Sequence, residues 1–144
     1  MDERILEHLK LLNKYLLSLR ELAQISEEDF KNDFKNCASA ERFLHLAIES
    51  CINIGNRIIS LMQFKKPVQT PETYGDIFIE LAKLGAIPHN FVDTMLKMVK
   101  FRNRLVHIYW NIEPSQIYNI LKENLGDFEK FRNFIIKYIE IEKI

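Results

Sequence analysis

Leucine and isoleucine recur near the start of the chain at alternating steps of four and three: Ile5, Leu9, Leu12, Leu16 and Leu19. That spacing holds the apolar side chains on one stripe of a 3.6-residue helix and commits the segment to an amphipathic helix with one face in a core. The period continues along the chain with few interruptions. Only four Gly and four Pro occur in 144 residues, so turns are few and elements long. No strand-like alternation, internal repeat or low-complexity tract is found. The expectation is an all-α fold: an antiparallel bundle of four main helices and a shorter one, in a single domain over residues 1–144.

The first helix is expected from Asp2 to about Ala23. Ser26, followed by Glu27, Glu28 and Asp29, reads as an N-cap with acids in the first turn of a short helix or turn. A second long helix is expected from about Ser39, as N-cap, to Gln63. Its stripe is Leu44, Ala47 or Ile48, Cys51, Gly55, Ile58 and Met62, where Gly55 marks the close approach of a neighbouring helix. After the loop KKPVQTPETYGD, Thr73 caps a shorter helix through Leu84 and Gly85 closes it. A fourth helix is expected after Pro88, running to about Tyr109. Pro114 then opens a fifth, with a possible kink at Gly126.

Lys plus Arg equals Asp plus Glu at 20 each, so no global field draws the chain to nucleic acid or an anionic membrane. Any such site must come from local clustering. Lys97, Lys100, Arg102 and Arg104 form one cluster, in a window without an acid. The opening MDERILEHLK brings acids at once and no apolar stretch, which does not read as a signal peptide. No apolar run is long enough to span a bilayer. Cys37 falls at the entry to the second expected helix and Cys51 in its middle, 14 residues on, about 21 Å at 1.5 Å rise per residue and too far to bridge. Reduced thiols and a cytoplasmic location are expected.

The densest chemistry is in FRNRLVHIYW, Phe101 to Trp110. On a continuous helix Arg102 and Tyr109 share a stripe, while Asn103 and His107 stand at i and i+4. Guanidinium, amide, imidazole and phenol then adjoin near a helix C-terminus. Such a set suits RNA cleavage without metal. Imidazole can take the 2′-hydroxyl proton and protonate the leaving 5′-oxygen, and a guanidinium can stabilise the charge of the phosphorane. One histidine is thin for two proton transfers, so a symmetric dimer facing two copies across a cleft would complete the site. Cations near a helix C-terminus are also favoured by the macrodipole alone, and the spacing by itself leaves both readings open. His8, His45 and His89 lack such neighbours in sequence and read as surface or satisfied core residues. No metal-ligand spacing, Gly-rich phosphate loop or nucleophile elbow is present, so no metal and no cofactor are expected.

Arg102-Asn103-x-x-x-His107-x-Tyr109 resembles the Arg-x4-His-x-Tyr signature of the HEPN superfamily, in its small stand-alone HepT-like branch. The resemblance extends over nearly the whole chain. It takes in AERFLHLAIESCINIGNRII, the TYGDIF and LAKLGAIP segments, and the long C-terminal helix after the motif. It implies a HEPN-like homodimeric bundle with the motif lining a cleft between protomers. It further implies a metal-independent endoribonuclease, the toxin of a type VII-like HEPN/MNT toxin–antitoxin pair. The implied partner is a minimal, MntA-like nucleotidyltransferase that silences the toxin by transferring AMP to the motif tyrosine. Carried over by position, Arg102 and His107 would be catalytic and Tyr109 the AMP acceptor. Asn103 is the polar residue usual after the arginine, and with Lys97, Lys100 and Arg104 it would serve RNA phosphate. The chain departs from the branch at Asn53, where an aspartate is common.

Two functional classes follow. One is an RNA-cleaving toxin. The other is a non-catalytic helical module that binds a nucleotidyltransferase or a nucleotide, with the motif as docking surface.

Overall fold

The structure is a computed structural model and describes residues 1–107 and 112–144. Seven α-helices and one 3-10 turn account for the regular structure of those residues, and no strand occurs among them. Helix α1 (Glu3–Ala23) buries the expected stripe, with Ile5, Leu12 and Leu19 fully enclosed. Each large side chain so buried contributes about 1.5–3 kcal/mol relative to exposure. Asp2 caps α1, its carboxylate accepting hydrogen bonds from the Arg4 and Ile5 N–H groups at 3.1 Å. Ser26 caps the short α2 (Glu27–Asn32), as its sequence indicates, and Phe30 drives that helix into the core against Tyr118.

The long α3 (Phe34–Met62) is the axis of the bundle and packs most extensively on α1. It starts five residues earlier than the Ser39 cap expected from sequence. Asp33 is the cap, accepting from the Lys35 N–H at 3.0 Å, while Ser39 is an exposed position of the helix. Gly55 fulfils its expected role. A Cβ placed there would lie 2.5 Å from Ile77 Cγ2 and 3.2 Å from Leu81 Cδ1, so α4 (Tyr74–Leu84) can cross α3 only because position 55 has no side chain. Thr73 and Asp76 form a reciprocal capping box at the start of α4, and Gly85 ends it at φ 83°.

A 3-10 turn at His89–Phe91 leads into α5 (Val92–Val106), which ends before the Tyr109 expected from sequence. His107 takes extended backbone angles (φ −92°, ψ 113°), and its N–H still donates to the Asn103 carbonyl at 3.3 Å. From Val106 onward β-branched and aromatic residues dominate the sequence and give little helix propensity. The expected fifth helix is two: α6 (Pro114–Glu123) and α7 (Leu125–Glu142). The break falls at Asn124 (φ −115°, ψ −4°), two residues before Gly126, which is itself helical and open-sided. Tyr118 and Lys122 tie α6 to the end of α1, donating to the Ile25 and Ala23 carbonyls at 2.7 and 2.6 Å. Cys37 and Cys51 are both unpaired, and burial pushes the Cys37 thiol up to about 11.

Candidate functional site

The last turns of α5 carry Arg102, whose surroundings no pattern in the sequence disclosed. Its Nε donates to Oε1 of Glu49 on α3 at 2.7 Å, and Nη2 lies 2.6 Å from the same oxygen as an ion-pair contact. Its guanidinium carbon lies 4.7 Å from the centre of the Tyr74 ring at the start of α4, a cation–π contact. Nη1 reaches Asn103 Oδ1 at 3.4 Å. The Arg102 side chain is only 17% exposed, the lowest of any cation in an Arg or Lys ion pair among the described residues.

His45 also belongs here. Its Nε2 lies 3.3 Å from the same Glu49 oxygen, so His45, expected as a surface or satisfied core residue, is half-buried beside the carboxylate that holds Arg102. The pair His45 and Glu49 stands at i and i+4 on one helix, a signal that was available in the sequence. Glu49 also precedes Asn53 by four residues. An acid is therefore present on this face one turn before Asn53.

Beside Arg102 opens a cavity of about 700 Å³ between α3, α5 and the segment leading into α4. Both side chains that Arg102 touches on this side, Tyr74 and Asn103, line it, together with Lys100 and Asn56. Ile77, Leu96 and Val99 supply apolar wall. At Gly75 a Cβ would approach Leu96 Cδ2 to 3.0 Å, so the short residue keeps α4 close to α5 there.

The expected phosphate-binding residues are not all together. Lys100 and Asn103 face the large cavity. Lys97 lines a separate groove of about 320 Å³ with Asn124, Asp127 and Phe128. Six residues at about 100° each set Lys97 and Asn103 roughly 120° apart around α5, which accounts for the division. Arg104 is half-buried, and His107 is exposed at the end of the helix. The expected stripe joining Arg102 to Tyr109 assumed a helix running to about Tyr109, and α5 as described stops at Val106. Tyr109 itself lies outside the described residues.

Among the described residues no group of three His, Cys, Asp or Glu side chains could hold a metal ion. Nor is any helix among them long and apolar enough to cross a membrane.

The chain matches the family model described as ribonuclease HepT-like over residues 5–135. It is 28% identical over 131 residues to the tRNA nuclease HepT of Aphanizomenon flos-aquae, covering 91% of this chain and 86% of the relative. With the mRNA nuclease HepT of Shewanella oneidensis it shares 32% identity over 106 residues, 74% of this chain and 77% of the other. Its structure superposes, with a TM-score of 0.85 and 26% identity, on a chain of the tri-AMPylated Shewanella oneidensis HEPN toxin in complex with MNT antitoxin, covering 95% of this chain and 99% of that one. A family match across most of the chain, a shared fold and a relative above 30% identity agree, and the chain belongs to the ribonuclease HepT-like family of HEPN proteins.

Proposed function

We propose that this chain is the ribonuclease toxin of a HEPN/MNT toxin–antitoxin pair, cleaving RNA without a metal ion. One observation carries the reading. The Arg102 guanidinium is held in a fixed plane where its contacts, Tyr74 and Asn103, line a cavity that also receives Lys100. A positioned guanidinium beside a cationic, partly apolar cleft suits a phosphodiester whose neighbouring base needs an apolar wall.

In the proposed reaction the 2′-hydroxyl oxygen attacks the adjacent phosphorus while an imidazole accepts its proton. Arg102 stabilises the added negative charge on the non-bridging oxygens. The bond from phosphorus to the 5′-oxygen breaks as that oxygen takes a proton from an imidazolium, leaving a 2′,3′-cyclic phosphate and a 5′-hydroxyl. His107 supplies the imidazole. A homodimer, placing two copies of His107 at one cleft, would divide the two transfers between them. Lys100 and Asn103 contact phosphate within the cavity, and Lys97 and Arg104 extend the cationic path.

Control follows the same reading. A minimal nucleotidyltransferase partner transfers AMP to Tyr109, and the added phosphate and purine compete for the cations and the space that RNA needs. The relatives support this to the extent that their names state a tRNA nuclease, an mRNA nuclease and an AMPylated toxin held by an MNT antitoxin.

The test is cleavage of single-stranded RNA by purified protein in EDTA, comparing wild type with Arg102→Ala and His107→Ala. Wild type is expected to cut and leave cyclic phosphate ends. Each variant is expected to lose at least roughly a hundredfold in rate. Activity that disappears in EDTA and returns with magnesium would overturn the mechanism. Full activity in either variant would remove that residue from it.

A further inference from the structure

We infer that Glu49 is a positioning residue for the reaction: it clamps the Arg102 guanidinium against the Tyr74 ring so that the remaining N–H donors stay open to the RNA phosphate. The inference rests on the reading of Arg102 as the group that meets phosphate.

The contacts divide the guanidinium into held and open parts. A guanidinium has five N–H donors. Glu49 Oε1 takes one from Nε, with Nη2 in ion-pair contact 2.6 Å from the same oxygen, and Asn103 Oδ1 takes one from Nη1. The second Nη1 donor and those of Nη2 make no hydrogen bond among the described residues, which leaves donors for the oxygens of a phosphate. Tyr74 covers one face of the plane, which restricts rotation about the long side chain. Glu49 is itself braced, because His45 Nε2 lies 3.3 Å from the oxygen that receives Arg102.

Here the Nε hydrogen bond and the Nη2 and His45 contacts all fall on Oε1, and the two other side chains that touch Arg102, Tyr74 and Asn103, line the cavity. The arrangement orients a charge and does not fully neutralise it. Glu49 touches no reacting atom in this scheme and acts through Arg102 alone.

The experiment has two readouts on wild type, Glu49→Ala and Glu49→Gln. Steady-state cleavage of single-stranded RNA gives kcat and KM. The Arg102 Nε–H signal, assigned by its loss in Arg102→Ala, gives solvent exchange by nitrogen-edited NMR. Glu49→Ala is expected to lower kcat roughly tenfold to hundredfold with a smaller change in KM, and to expose the Nε–H to fast exchange. Glu49→Gln keeps an acceptor oxygen at the same place. It should recover the larger part of the lost kcat and retain a protected Nε–H, which also guards against a misfolded alanine variant. A Glu49→Ala protein that cleaves as fast as wild type, or faster, overturns the inference. So does unchanged Nε–H protection in that variant. Wild-type cleavage by Arg102→Ala would instead overturn the catalytic reading beneath it, and the NMR signal would show whether the clamp exists apart from that role.

Discussion

Two arginine–carboxylate pairs, both reaching α3, show how differently one interaction type can be used. Arg57 on α3 meets Asp2 through both carboxylate oxygens: Nε donates to them at 3.1 and 3.2 Å, and Nη2 to Oδ2 at 2.8 Å. The same Asp2 caps α1, and its main-chain N–H donates to the Ile144 carbonyl. The hydrogen bonds from Arg57 hold the Asp2 carboxyl below its ordinary range. Arg102 and Glu49 are arranged otherwise. They meet through one oxygen, with an aromatic ring on the cation, an imidazole on the anion, and a cavity beside them. The first pair engages both carboxylate oxygens in hydrogen bonds, and the second hydrogen-bonds through one. Burial and charge alone would class them together; the ring, the imidazole and the cavity beside the second pair set it apart.

Replacing each arginine by lysine should break the comparison most sharply. Lysine keeps the charge but loses the planar fork. Arg102→Lys is expected to lower RNA cleavage roughly a hundredfold, about 2.7 kcal/mol in barrier, with a near-native melting temperature. Arg57→Lys should cleave RNA at close to the wild-type rate and melt earlier. Matching activity losses from the two substitutions would contradict the division of roles.

At the Asp2 end the effect is on stability. Asp2→Ala removes a cap and should cost about 1 kcal/mol from that loss alone, read as a lower denaturation midpoint. Asp2→Asn keeps a capping oxygen and loses only the ionic partner of Arg57. Because folding lowers the Asp2 pKa, the folded state favours the carboxylate, and this contribution is present above the unfolded-state value. It should fade as pH falls through the lowered native range. The stability gap between wild type and Asp2→Asn is therefore expected at neutral pH and absent in strong acid. A gap that widens on acidification would contradict the sign.

Tyr74 offers the finest discrimination. Tyr74→Phe retains a ring beneath Arg102 and should leave cleavage near wild type. Tyr74→Leu removes a cation–π contact worth about 0.5–1 kcal/mol at a partly exposed site, so a two- to fivefold loss in rate is expected. Equal rates for Phe and Leu would show that the ring has no part in holding Arg102.

Much of the bundle was legible because its signals are local. The stripe from Ile5 to Leu19, the Ser26 and Thr73 caps, the Gly85 stop and the tight contact at Gly55 all follow from residues close in sequence or from one missing side chain. Boundaries were harder. Asp33 and Ser39 are both good caps, and the choice of Asp33 depends on which residues precede the first buried position, Ala40. The stop of α5 at Val106 lay inside a run whose apolar spacing continues, so periodicity could not locate it. At the site, Arg102 and His107 were visible as residue types. The partner of Arg102 stands 53 positions away on another helix, and Tyr74 becomes its neighbour only when α4 packs down. Tertiary pairs of this kind leave no spacing to read. The split of Lys97 from Lys100 could have been anticipated from helical geometry, given knowledge of which side of α5 each groove occupies.

The missing side chain at Gly55 also bears on genetics. A cell that survives expression of a harmful protein can do so through any lesion that silences it, and such survivors sample the whole molecule. Even alanine at position 55 would force Ile77 aside and displace the helix that presents Tyr74 to Arg102. The displacement would reach the guanidinium without altering a charged residue. A screen for surviving colonies should therefore return changes at Gly55 alongside those at Arg102 and His107, and the Gly55 class should include soluble, folded proteins that are nonetheless harmless.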